Sequence, residues 1–117
     1  VKINTSDVDR FLNDFKLKMK IWDIVFRSDR LKNIQALIDL EISEIQRRTV
    51  IENLIAEDYS EGPLPDTLNL LSPMWVFGKQ VKGKEIYIKI TMGTVNNPVI
   101  CISFHLAEHP MKYPFKN

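Results

Sequence analysis

Apolar and polar residues alternate one by one in two stretches toward the C-terminal end of this chain. Ile86, Ile88 and Ile90 alternate with Tyr87, Lys89 and Thr91, and Ile100, Ile102, Phe104 and Leu106 alternate with Cys101, Ser103 and His105. A period of two predicts strands with one buried face and one open face. Gly93, Asn96, Asn97 and Pro98 interrupt the pattern, so the segment reads as a β-hairpin. The register that keeps like faces together sets Tyr87 opposite His105 and Lys89 opposite Ser103. Cys101 falls on that same open face.

The first half of the chain has helical spacing instead. Val8, Phe11, Leu12, Phe15 and Met19 predict a helix over about 7–19, capped by Ser6 with Asp9 as its capping-box partner. The apolar run 21–26 predicts a short strand. Asp29 is the expected cap of a second helix with Ile34, Leu37 and Ile38 as its stripe. Ser43 and Gln46 form a clearer capping box for a third, which carries Val50, Ile51, Leu54 and Ile55 and stops near Glu57. Gly62, Pro63, Pro65 and Pro73 exclude regular helix or a central strand from residues 58–73 and predict a long ordered loop. Residues 74–81 form a strand. A two-residue turn after it puts Trp75 and Phe77 on the isoleucine face, which burial of two large aromatics favours over the three-residue alternative. The tail, 109–117, has two prolines and no period.

Helices followed by antiparallel strands define an α+β fold, with N-terminal helices packed on one face of a small antiparallel sheet. A chain of 117 residues, 44% hydrophobic and 26% charged, suits a single domain over 1–117. No apolar run reaches the roughly 18 residues of a membrane span, and no secretory pattern opens the chain. Cys101 is the single cysteine, which rules out an internal disulfide and fits a reducing, cytoplasmic setting. The net charge of +1 conceals an asymmetry. Residues 1–78 carry 10 Lys and Arg against 13 Asp and Glu (−3), whereas 79–117 carry 6 against 2 (+4). A basic strand region suits a polyanionic partner, although Lys79, Lys82, Lys84, Lys112 and Lys116 also read as solvated strand ends and tail.

The open face carries the candidate chemistry. Ribonuclease action without a metal or cofactor needs a base for the 2′-hydroxyl, an acid for the departing 5′-oxygen and a cation for the phosphate. His105 is the candidate for proton transfer, since an imidazole changes charge near neutrality. Tyr87 and Lys89 are candidates to bind and polarise the phosphate, and Glu61 on the proline-rich stretch to orient the histidine or replace it as base. Lys79, Lys82, Lys84 and Ser103 are candidate RNA contacts. The plainer reading is a solvated sheet face, on which Tyr, Lys, Ser and Thr are routine. Residues 105–109, His-Leu-Ala-Glu-His, match a zinc hydrolase pattern that works only on a helix. Pro110 directly after His109 opposes a helix there, so no metal is assigned. His109 and Tyr113 read as a turn histidine and a packed aromatic, with a fold-back over the open face as the alternative.

Several stretches together resemble the motility quorum-sensing regulator toxins, a bacterial family of mRNA interferases with a RelE-like fold. Residues 85–91, EIYIKIT, resemble the family's "VYLKIT" strand, and 99–104, VICISF, its "VLIVSF" strand. Residues 50–59 resemble the stretch ahead of its active-site loop, and Trp75 falls on a family tryptophan. The gapped likeness covers most of the chain up to Phe104. The resemblance implies an endoribonuclease toxin that cleaves single-stranded mRNA by 2′-hydroxyl attack. Its partners would be mRNA, a cognate antitoxin protein and, as a further candidate, the ribosome, with no membrane. Tyr87 and Lys89 match family active-site residues. His105 replaces a family lysine, Glu61 falls near a loop lysine, and Val76 replaces a glutamine. These departures keep open the alternative of a non-catalytic RNA- or protein-binding module with the same fold.

Overall fold

The computed structural model describes residues 2–67 and 72–116. Three helices, α1 (Thr5–Trp22), α2 (Leu31–Leu40) and α3 (Glu44–Glu52), accompany five strands. The strands are β1 (Ile24–Phe26), β2 (Tyr59–Leu64), β3 (Met74–Val81), β4 (Lys84–Thr91) and β5 (Val99–Leu106). They form one sheet in the order β1-β5-β4-β3-β2. The fold is α+β as the periodicities predict, but the sheet is mixed, because β1 pairs parallel with β5. A strand that follows α1 directly enters the sheet running alongside β5.

One core lies between the helices and the isoleucine face. Val8, Phe11, Leu12, Phe15 and Met19 of α1 pack with Phe77, Ile86, Ile88, Ile90 and Phe104. Phe11 stacks on Trp75 with ring centroids 4.5 Å apart. The β3–β4 connection is the two-residue turn, Lys82-Gly83, with φ of 51° and 80°. Both residues are left-handed, the twist that suits a tight hairpin. The register sets Trp75 against Ile90 and Phe77 against Ile88, on the core face.

Helix boundaries differ from expectation where side chains have other work. The N-cap of α1 is Asn4, which exchanges hydrogen bonds with Asp7 (2.9 and 3.0 Å), so the helix starts ahead of Ser6. It continues to Trp22, which confines the expected strand at 21–26 to its second half. Asp29 does not cap α2; it forms a two-pronged pair with Arg27 at 2.9 and 2.8 Å. The Ser43–Gln46 capping box is present, but α3 ends at Glu52 and a 3₁₀ turn, Ala56–Asp58, follows. The expected loop over 58–73 contains β2, an edge strand whose pairing to β3 shifts register twice around Gly62-Pro63. An edge is where a strand tolerates proline. Within that expected loop, 68–71 lie outside the described residues.

The stripe of α2 is rotated from the predicted one. Asn33, Ala36 and Leu40 are buried, whereas Ile34 and Ile38 are exposed. The cause is Asn33. β1 covers the outer edge of β5 only at residues 99–101. Beyond it, the Asn33 amide donates to the Ile102 carbonyl (3.0 Å) and to the Arg27 carbonyl (2.9 Å), and its oxygen accepts from the Phe104 N–H (3.0 Å). One side chain thus stands in for the missing strand backbone, satisfying groups that burial would otherwise orphan.

The β4–β5 ladder contains one irregularity. Lys89 pairs with Ser103, but Ile90 pairs with Cys101, leaving Ile102 as the extra residue of a bulge. Cys101 consequently turns into the core beside Ile90 and Phe104, not onto the open face as the alternation predicts.

Asn33→Ala should lower unfolding stability by about 3 kcal/mol, because it leaves a buried N–H and two carbonyls without their partner. Urea denaturation measures it, and a loss below about 0.5 kcal/mol would show that water replaces the amide at little cost.

Candidate functional site

The face opposite the core carries a cavity of about 900 Å³. β4 contributes Tyr87 and Lys89, β5 contributes Ser103 and His105, and β2 contributes Ser60 and Glu61. Arg30, Leu31 and Lys32 at the start of α2 form one wall, and residues 108–112 form another. The register of β4 and β5 is the predicted one, Tyr87 opposite His105 and Lys89 opposite Ser103.

The two rings of this face are stacked, with centroids 5.2 Å apart and an interplanar angle of 11°. Nδ1 of His105 lies 2.9 Å from the carbonyl of Leu106. A carbonyl only accepts, so Nδ1 carries a proton. In the neutral ring the lone pair is then on Nε2, the nitrogen a base would use. Partial burial, reinforced by the Glu61 carboxylate, pushes the Tyr87 hydroxyl above its usual range. It remains a hydrogen-bond donor at neutral pH. The Lys89 ammonium lies 6.0 Å from the centre of the Tyr87 ring. Ser103 is at the floor, 1% exposed, and Val76, which pairs with Lys89 from the opposite side of β4, is fully buried.

Five of the eight residues expected at the site or its RNA surface line the cavity: His105, Tyr87, Lys89 and Ser103 from β4 and β5, and Glu61 from β2. Lys79, Lys82 and Lys84 do not border the cavity. The two-residue turn that buries Phe77 sets Lys79 opposite Ile86, on the helix side, where it pairs with Asp58 at 2.8 Å. Lys82 bonds the Glu41 carbonyl at 3.0 Å, and Lys84 lies beside the hairpin turn. The zinc-like pattern is not helical: His105 is in β5, and the backbone after Leu106 is irregular. Among the described residues no three His, Cys, Asp or Glu side chains are grouped as metal ligands.

Sequence reading missed Arg30, Lys32 and Met111, and left Lys112 as a solvated tail residue. The basic C-terminal third was the one signal for Lys112. Nothing in the order of residues signals Arg30 and Lys32, because they reach the site only when α2 covers the edge of β5. Lys32 and Glu108 close that side with a 2.7 Å ion pair. Its hydrogen bond holds the Glu108 carboxyl below the usual range, with weaker support from His105 and His109.

The tail is fastened over the sheet. Glu85, on the same strand face as Tyr87, accepts from the Tyr113 hydroxyl (2.7 Å) and from the Met111 N–H (3.2 Å). Tyr113 lies over Gly78, where an added Cβ would overlap its ring. Burial and the bond to Glu85 raise its hydroxyl well above the usual range. Phe115 stacks on Tyr59 at 5.3 Å.

No protein-family model, curated protein or solved structure matches the chain. No helix among the described residues is long and apolar enough to cross a membrane. The site is defined by its own chemistry: an open cleft holding four cations, two carboxylates and two imidazoles around a stacked phenol.

Two outcomes test this geometry. Cys101 is fully buried and its thiol is pushed up to about 12 by burial, so thiol reagents should label it only after unfolding; prompt labelling of folded protein contradicts the flip at the bulge. Gly78→Val should expel Tyr113 and speed tryptic cleavage after Lys112 on the order of tenfold, since it raises the population of open tail. An unchanged digestion rate would mean that Gly78 does not seat the tail.

Proposed function

We propose that the chain is a metal-independent endoribonuclease toxin that cleaves single-stranded mRNA in the cytoplasm and is held inactive by a cognate antitoxin protein covering the cleft. The ribosome is a further candidate partner. One observation carries the reading. An imidazole whose Nδ1 is held by a carbonyl, a protonated phenol and an ammonium border a single cleft wide enough for a nucleotide. They can supply the base for the attacking hydroxyl and the donors for the phosphate oxygens that phosphodiester cleavage by a neighbouring hydroxyl requires.

In the proposed reaction, Nε2 of His105 takes the 2′-hydroxyl proton. The 2′-oxygen then bonds to phosphorus as the bond to the 5′-oxygen breaks. Lys89 and the Tyr87 hydroxyl hold the non-bridging oxygens, on which negative charge builds. Glu61, at the same cleft, assists by orienting His105. The Leu106 carbonyl fixes the His105 tautomer, so no reorganisation precedes proton transfer. The 5′-oxygen takes up a proton from an acid of the cleft as it departs, and the products are a 2′,3′-cyclic phosphate and a 5′-hydroxyl.

The test is cleavage of single-stranded RNA by the purified chain in excess EDTA, alongside growth arrest on expression. His105→Ala should lower the rate at least about 10²-fold, the usual weight of a general base, with circular dichroism unchanged. Undiminished cleavage by that variant removes His105 from its role. Folded wild-type protein that binds RNA but never cleaves it, even in excess, would identify the non-catalytic binding module instead.

A further inference from the structure

Cleavage by 2′-hydroxyl attack requires a second proton transfer, to the departing 5′-oxygen, and His105 as base leaves that role unfilled. Two observations bear on who fills it. The segment after β5 is fastened to the sheet: on the open face Glu85 accepts two hydrogen bonds from it and Gly78 leaves room for Tyr113, and farther on Phe115 packs on Tyr59 against the core. This fastening brings His109 to the wall of the cavity that His105 also borders. The two imidazoles thus reach one cleft from different segments, one from a strand and one from the fastened tail.

We propose that His109 is the general acid of the site, donating its proton to the 5′-oxygen of the RNA leaving group while His105 acts as base. The inference rests on the ribonuclease reading of the cleft. The balance is complete without any co-reactant. His105 gains the proton of the 2′-hydroxyl, the 2′-oxygen–phosphorus bond forms, the phosphorus–5′-oxygen bond breaks, and His109 loses a proton to that oxygen. Solvent returns both imidazoles to their starting states. Lys32 and Glu108 are engaged with each other, Tyr87 is stacked on the ring of the base, His105, and an arginine does not give up its proton.

The charged and titratable groups that line the cavity with His109 come from four elements and its own segment. Arg30 is the N-cap residue of α2, Lys32 lies in its first turn, and Glu61 belongs to β2. Tyr87 and Lys89 belong to β4, His105 to β5, and Glu108 and Lys112 flank it in the tail.

The experiment compares two substrates with the full chain in EDTA. One is single-stranded RNA, whose 5′-alkoxide must be protonated. The other is a pool of the four nucleoside 3′-(4-nitrophenyl phosphates), whose phenolate departs without a proton. His109→Ala should slow RNA cleavage by about 10²–10³-fold and the aryl esters by less than about threefold, because only the first reaction needs the acid. The alkaline limb of the RNA pH profile should vanish in the variant, while the acidic limb, set by the base, persists. His105→Ala should slow both substrates. His109→Gln, which keeps polarity and size, should behave like His109→Ala and separates acid catalysis from loss of a contact. Equal losses on both substrates, an intact alkaline limb, or RNA cleavage at the wild-type rate would overturn the assignment of His109 and leave the ribonuclease reading standing. Wild-type protein inactive on both substrates would overturn the ribonuclease reading, and this assignment with it.

Discussion

The side chain of Asn33 holds the candidate site together. β1 is only three residues long and leaves the outer edge of β5 bare beyond Cys101. An uncovered edge is unstable where it is buried, because its N–H and carbonyl groups have lost water and gained nothing. The Asn33 amide supplies both a donor and an acceptor to that edge, at Ile102 and Phe104. Once it does so, α2 has no freedom to rotate. Arg30, Leu31 and Lys32 are carried over the end of β5, next to Ser103 and His105. The basic wall of the cleft is therefore a consequence of how one sheet edge is satisfied.

Which residues look into the cleft is decided by counting along strands. A two-residue turn between β3 and β4 sends 76, 78 and 80 to the open side along with 85, 87 and 89. A three-residue turn would have sent Lys79 there. The bulge at Ile102 has the same kind of effect in β5, keeping Ser103 and His105 outward while turning Cys101 inward. A single extra residue changes the face of everything beyond it, because side chains alternate with a period of two. Val99 and Cys101 can fill the core, and His105 can face solvent, only because the count slips between them.

The fastened tail adds a different element. It crosses the open face over Gly78, where the backbone is bare, and it ties its own N–H and phenol to Glu85. The cleft thus has a strand floor and two separately supplied walls, one from α2 and one from the tail. Each wall brings cations, and together with Lys89 these outnumber the carboxylates of Glu61 and Glu108. A concave, low-dielectric surface with that imbalance concentrates anions.

Local order in the chain was enough to determine the α+β class, the Ser43–Gln46 cap, the β4–β5 hairpin and the pairing of Tyr87 with His105. All of these depend on residues near one another in sequence and on periods of 3.6 or 2. The buried role of Asn33, the exposure of Ile34 and Ile38, the inward turn of Cys101 and the departure of Lys79 to the helix side were decided only in three dimensions. So was the arrival of Arg30, Lys32, His109 and Lys112 at one cleft. Each of these answers a requirement of a distant segment, an edge to be paired or a face to be covered. No pattern within a short window encodes a hydrogen bond between residues such as 33 and 104, because the partner exists only once the sheet has formed.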